Sequence, residues 1–241
     1  MTGRMSVFMS VVLGLVLTTG CAKREIHLKT VKVSSSAIYC LFDPSCTVTA
    51  TDSLSTPIPM SAGGTSFLHS RTFVGKSGTP ASGLYGYEYR IDLSKAVETM
   101  VDVKGVATKY QSCLESITLD FGPFIDHLDY NGDGEAGDVL YVVTDDSPGR
   151  IGLGSAHKWS DRIIVNFDSL LCVGGSNHQG DSTYFFGLVS TQPPRSIAAS
   201  IKETVGLASE SPKLRKELRH DVLVRGPQTG TASDPERPGS L

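Results

Sequence analysis

Between residues 84 and 93 apolar and polar side chains alternate without a break. Tyr85, Tyr87, Tyr89, Ile91 and Leu93 fall on one side, and Gly86, Glu88, Arg90 and Asp92 on the other. A period of two puts each set on one face of a strand, whereas a helix would scatter both around its circumference. The segment predicts a half-buried β-strand. Ile117, Leu119 and Phe121 alternate with Ser116, Thr118 and Asp120 in the same way, and residues 139–144, 162–167 and 183–190 are further β-rich runs. Glycine and proline clusters at 75–83, 132–137, 149–154, 174–180 and 193–194 separate them. No alternation of strand and helix patterns is present, which disfavours a doubly wound α/β sheet. The expected fold class is all-β: an antiparallel β-sandwich or an open barrel.

The flanks read differently. Residues 21–64 are rich in Ser and Thr and read as a tether with N-terminal strands, the clearest at 25–33. Residues 65–201 form the expected sandwich domain, with 94–104 read as a short helix or a loop. Residues 202–219 are densely charged and predict a partly helical stretch; 225–241 have the composition of a disordered tail. The hydrophobic fraction of 39% is enough for a packed core. A formal charge of −3 leaves no basic excess for binding nucleic acid through its phosphates.

The first twenty residues read as an address. Arg4 is the lone charge, residues 7–17 are almost wholly apolar, and Leu17-Thr18-Thr19-Gly20-Cys21 follows. That is the layout of a secretory signal, and the run is shorter than the ~20 residues of a spanning helix. The stretch ending at Gly20-Cys21 resembles the lipobox of bacterial lipoproteins. Thr18 departs from the usual Leu, which lies one place early at Leu17. The resemblance implies a diacylglycerol on Cys21, which becomes the mature N-terminus. Ala22 is not the Asp of the enteric inner-membrane retention signal, so the resemblance further implies the outer membrane if the cell is Gram-negative. Residues 83–195, through the tyrosine strand, 128–138, 185–188 and Gln192-Pro193-Pro194-Arg195, resemble a β-sandwich module of exported bacterial proteins. That likeness implies fold and export and no activity.

Five cysteines fit an exported chain. With Cys21 given to lipid, four remain, and an even number suggests two disulfides among three possible pairings. Cys40 and Cys46 flank the turn signal Asp43-Pro44, which leaves Cys113 with Cys172. Four reduced buried thiols are the other reading.

Asp129, Asn131 and Asp133 place oxygens at every second position, with Gly134 at the sixth. Calcium takes six to eight oxygen ligands, and such spacing on a tight loop turns oxygens inward. The segment resembles the first half of EF-hand-like loops, with the Glu135 carbonyl and Asp138 completing a Ca²⁺ shell. It departs at the twelfth position, Leu140. A plain hairpin turn fits equally, since Asn-Gly and Asp-Gly are strong turn dipeptides. Gly132–Gly137 also matches a dinucleotide fingerprint formally, but it lacks the preceding strand and the following helix.

No His-Glu-x-x-His, His-x-His or Gly-x-Ser-x-Gly motif is present. The expected function is that of a lipid-anchored bacterial envelope protein, with a non-catalytic binding or structural sandwich facing an envelope protein or a glycan. The alternative is an envelope hydrolase with an Asp/His site at Asp126, His127 and Asp129. Tyr85, Tyr87 and Tyr89 with Trp159 are candidates for a sugar-binding aromatic platform, against the commoner role of core packing.

Overall fold

The computed structural model describes residues 25–207 and 210–228. The signal stretch 1–20, Cys21 and the last part of the tail, 229–241, lie outside the described residues. Thirteen strands follow in chain order: β1 (Ile26–His27), β2 (Thr30–Ser34), β3 (Asp52–Pro57), β4 (Gly63–Val74), β5 (Tyr85–Val97), β6 (Thr99–Val103), β7 (Val106–Leu119), β8 (Leu140–Asp145), β9 (Leu153–Trp159), β10 (Arg162–Cys172), β11 (Phe185–Ser190), β12 (Pro194–Leu207) and β13 (Lys216–Pro227). A short helix, α1 (Ser35–Cys40), follows β2. One sheet has the order β1-β9-β10-β7-β12-β13, with β6 hairpinned onto β7. The other has the order β2-β8-β11-β5-β4-β3. All neighbours are antiparallel except β2 and β8. The two sheets make a sandwich.

The core between them is what the alternation predicts. Tyr87, Tyr89, Ile91 and Leu93 of β5 are fully buried, together with Ile117 and Leu119 of β7 and Ile163 and Val165 of β10. Both tyrosines are buried, so each hydroxyl needs a partner. Tyr87 donates to the Gln192 carbonyl and Tyr89 to the Arg225 carbonyl, both at 2.7 Å.

The expected polar face of β5 is also covered. Ile38 of α1, Phe42, Phe73, Leu128, Tyr130 and Tyr141 form a second apolar cluster outside the β4/β5/β8 sheet. Gly86 has no side chain because the Phe73 ring lies where its Cβ would stand. Glu88 is wholly buried there, accepting from Arg71 Nε at 2.6 Å and from the Tyr141 hydroxyl at 3.3 Å. A buried carboxylate needs such a partner, and Arg71 in turn lies 4.1 Å from the centre of the Phe185 ring.

Two expectations at the flanks are corrected. Residues 202–219 are not helical: β12 continues to Leu207, and β13 pairs with it without interruption from Pro194–Pro227 to Val205–Lys216. One 3₁₀ turn at Pro212–Leu214 is the whole helical content of that stretch among the described residues. Residues 225–227, read as the start of the tail, belong to β13. Local helix propensity in a run rich in Lys, Leu, Glu and Arg loses to a full-length ladder that buries Val222 and Val224. Residues 94–104, read as helix or loop, are the end of β5 and the strand β6. The N-terminal flank is integrated too, with β1 on the edge of one sheet and β2 on the edge of the other.

Both disulfides form. Cys113 and Cys172 are direct cross-strand partners on β7 and β10, and Cys40–Cys46 closes the turn after α1; each pair has Cα atoms 4.0 Å apart.

Candidate functional site

The β4/β5/β8 sheet is covered on its outer face, whereas the outer face of the β10/β7/β12 sheet is open. Register turns that face into a grid. Across five strands, from β9 to β13, one row reads His157, Ile164, Thr118, Ser200 and Asp221. The row on one side reads Ser155, Asn166, Ser116, Lys202 and Arg219. On the other side stand Trp159, Arg162, Asp120, Ala198 and Leu223, where Asp120 donates its N–H to the Ala198 carbonyl at 3.0 Å.

Side-chain size shapes the surface. Ser116, Thr118, Ala198 and Ser200 in the middle are short, while Trp159, Arg162 and Arg219 around them are long. The result is a concavity of about 610 Å³, within the range of small-ligand sites. Arg162 Nε is 3.0 Å from Asp120 Oδ1 on one side. Lys202 is tied to Glu115 and Glu217, each at 2.8 Å. The hydroxyls of Ser116, Thr118 and Ser200 and the charged ends of Arg219 and Asp221 make no described side-chain hydrogen bond. Each hydroxyl offers one donor and two acceptor positions, and the Arg219–Asp221 pair offers both signs on one strand.

The calcium candidates sit together on the loop before β8, but they face different ways. Asp129 accepts from Gly132 N–H at 2.7 Å and Gly134 N–H at 2.8 Å. Those two glycines have φ of 74° and 86°, the left-handed conformation that the turn requires. Asn131 donates to Asp133 at 2.8 Å, and Asp133 accepts from the Glu135 N–H at 2.7 Å. These two contacts, the Asn131 amide first, hold the Asp133 carboxyl below the usual range. Asp138 is fully buried, accepts from Tyr130 N–H at 2.8 Å and pairs with Lys29 Nζ at 2.9 Å. That contact holds the Lys29 ammonium above its usual range. Among the described residues, no group of three or more His, Cys, Asp or Glu is arranged to hold a metal ion.

The hydrolase candidates are not brought together. Asp126 and His127 are exposed, and both oxygens of Asp129 are engaged by the loop's own N–H groups. The aromatic platform is not assembled either. Tyr87 and Tyr89 are core residues of one sheet, and Trp159 stands on the outer face of the other.

Comparison with protein-family models, curated proteins and solved structures finds no match. The open face therefore stands on its own geometry. Its β7 members, Ser116 and Thr118, are visible in the sequence as the polar half of an alternation. Arg219 is not, because the stretch 202–219 that ends with it reads as partly helical, and Asp221 lies just beyond it with no strand pattern read there.

Proposed function

We propose that the chain is a lipid-anchored bacterial envelope protein whose sandwich binds a glycan non-catalytically on the open face of the β10/β7/β12 sheet. Cys21 carries the lipid, and Ala22 directs the protein to the outer membrane in a Gram-negative cell. The observation that carries the binding reading is the set of hydroxyls without partners on β7 and β12, bordered by Arg219 and Asp221, in a concavity of about 610 Å³. A sugar presents vicinal hydroxyls that both donate and accept. A surface of alternating Ser, Thr, Arg and Asp matches that pattern without burying an unpaired charge.

The test is direct binding of the purified full chain to an array of bacterial envelope glycans, including peptidoglycan fragments and lipopolysaccharide core oligosaccharides. Thr118→Arg with Ser200→Arg fills the middle of the face while leaving the inner-facing neighbours Ile117 and Ile201 untouched. Loss of glycan binding in a variant that melts like the wild type supports the proposal. Equal binding by both proteins, or none by the wild type, overturns it.

A further inference from the structure

One of the two disulfides has a cation on its sulfur. Arg215, the residue before β13, sends its side chain back across β12 to β7. Gly206 of β12 makes that passage, since a Cβ there would stand 2.7 Å from Arg215 Cγ. The guanidinium ends on Gln111 and Cys113, which share a face of β7 because they are two residues apart. Nη2 is 3.1 Å from Gln111 Oε1, and Nη1 is 3.6 Å from Cys113 Sγ. Nε is buried without a hydrogen-bond partner.

The other charged groups around the bridge are already committed. Glu115 and Glu217 both pair with Lys202. Glu203 turns toward the other sheet, against His220 and the Ser61 N–H. Glu210 accepts from the Leu207 N–H at 2.9 Å. Among the described residues, Arg215 therefore meets only a neutral amide oxygen and a sulfur. A buried cationic donor without a counter-charge is costly, and a thiolate at Cys113 would supply one.

The two sulfurs differ. Cys113 is fully buried, whereas Cys172 is part-exposed. The Cys172 N–H donates to Asp181 Oδ2 at 2.9 Å, so that side of the bridge borders a carboxylate, itself paired with Arg150. The bridge also lies where the β7–β10 ladder is interrupted. Register breaks between Asn166 and Leu171, and only the pairs Leu171–Leu114 and Cys172–Cys113 follow. A two-pair segment beyond a bulge can part without melting the rest of the sheet.

We propose that Cys113–Cys172 is a site of thiol–disulfide exchange with a dithiol, entered at Cys172 and left through Cys113. One thiolate of the dithiol attacks Cys172 Sγ. The S–S bond breaks, and its electron pair goes to Cys113 Sγ, whose negative charge forms beside Arg215. The second thiolate of the dithiol then attacks the reagent's own sulfur in the mixed disulfide and releases Cys172 as a thiolate. The dithiol is oxidised to a disulfide, the protein gains two electrons, and the two thiol protons pass through solvent to the cysteines. A neighbouring cation stabilises a thiolate, and a better-stabilised thiolate leaves faster. Among the described residues no cation hydrogen-bonds either sulfur of Cys40–Cys46, which makes that bridge the internal control.

The experiment reduces the oxidised full chain with dithiothreitol at neutral pH without denaturant, and traps thiols with iodoacetamide for peptide mapping. Cys113–Cys172 should open in the wild type, and about three- to tenfold more slowly in Arg215→Gln. The Cys40–Cys46 rate should not change. Arg215→Lys, which keeps a cation, should recover most of the rate. A guanidinium that only shields the sulfur gives the opposite sign, because Arg215→Gln then opens faster, and the proposal fails. Equal rates in wild type and Arg215→Gln, or a wild-type bridge that dithiothreitol leaves closed, overturn it as well. Glutathione, a single thiol, reads the direction on the wild type and needs no variant. Its adduct should map to Cys172 with Cys113 alkylated, and an adduct found equally or mainly on Cys113 overturns the proposal.

Discussion

Lys29, on the short link between β1 and β2, places its ammonium 2.9 Å from the buried carboxylate of Asp138. The loop thus already has a cation at the position where a Ca²⁺ shell would close. Calcium binding by Asp129, Asn131, Asp133 and Asp138 therefore requires the ion to displace Lys29. Lys29→Gln should enlarge the calcium-dependent rise in unfolding temperature relative to the wild type. Binding at a hundredfold excess over Kd adds about 2.7 kcal/mol, and a domain of this size moves about 2–4 °C per kcal/mol. Thermal unfolding with calcium against chelator decides it. No shift in either protein would leave Gly132 and Gly134 as turn residues only.

The two disulfides should contribute unequally. Cys113–Cys172 spans 59 residues of chain and Cys40–Cys46 only 6. In the chain-entropy model these loops are worth about 4 and about 2 kcal/mol. Replacing Cys113 and Cys172 by Ala should lower stability by about 2 kcal/mol more than replacing Cys40 and Cys46. Denaturant titration of both double variants measures the difference. Equal losses would mean that native-state contacts around the bridges, and not loop closure, set their value.

Much of the fold is legible in the sequence because burial and period coincide in the central strands. Tyr87, Tyr89, Ile91 and Leu93 alternate against polar neighbours, and the core takes that set. The same rule misleads at Glu88, where the polar side of the strand is covered by α1 and its loop. Nothing in the alternation of β5 reveals that a distant segment will cover its outer face. β13 is hidden for a different reason. Charged residues occupy both its faces between 215 and 221, and only the ladder with β12 fixes it as a strand. The open face inherits that blindness, since three of its five free polar groups, Ser200, Arg219 and Asp221, lie on β12 and β13. The calcium pattern shows the complementary limit: spacing places oxygens near one another, but Lys29 and the loop's own N–H groups decide where they turn.

Acid should loosen the turn closed by Cys40 and Cys46. Lys76, then the Ser45 N–H and the Ser45 hydroxyl, pull the Asp43 carboxyl down to about 2. Its ordinary value is 3.8, so the folded state holds the proton less tightly than the unfolded chain. Stability from this group is then fully present above about pH 4 and is lost as pH falls toward 2. Asp43→Asn should be less stable than the wild type at neutral pH and should flatten the loss between pH 4 and 2. Unfolding curves across that window test it. An unchanged slope in the variant would assign the acid transition to other carboxylates.

Glu203 joins the two sheets through a buried polar cluster. It is fully buried on β12, paired with His220 of β13 and hydrogen-bonded to the Ser112 hydroxyl. It also accepts from the Ser61 N–H at 3.0 Å, on the turn between β3 and β4 of the other sheet. Removing one member of a buried pair strands the other without compensation, which typically costs about 3–5 kcal/mol. Glu203→Ala should lose that much, and His220→Ala somewhat less, because the imidazole retains an exposed edge. Replacing both with Leu removes the buried polar pair at once, and such replacements are often neutral or stabilising. The double variant should therefore be more stable than Glu203→Ala, although it has lost more polar contacts. A double-mutant cycle in denaturant reads the coupling directly. Strict additivity of the two single losses would show that Glu203 and His220 act independently, and that the Ser61 and Ser112 bonds alone hold the carboxylate.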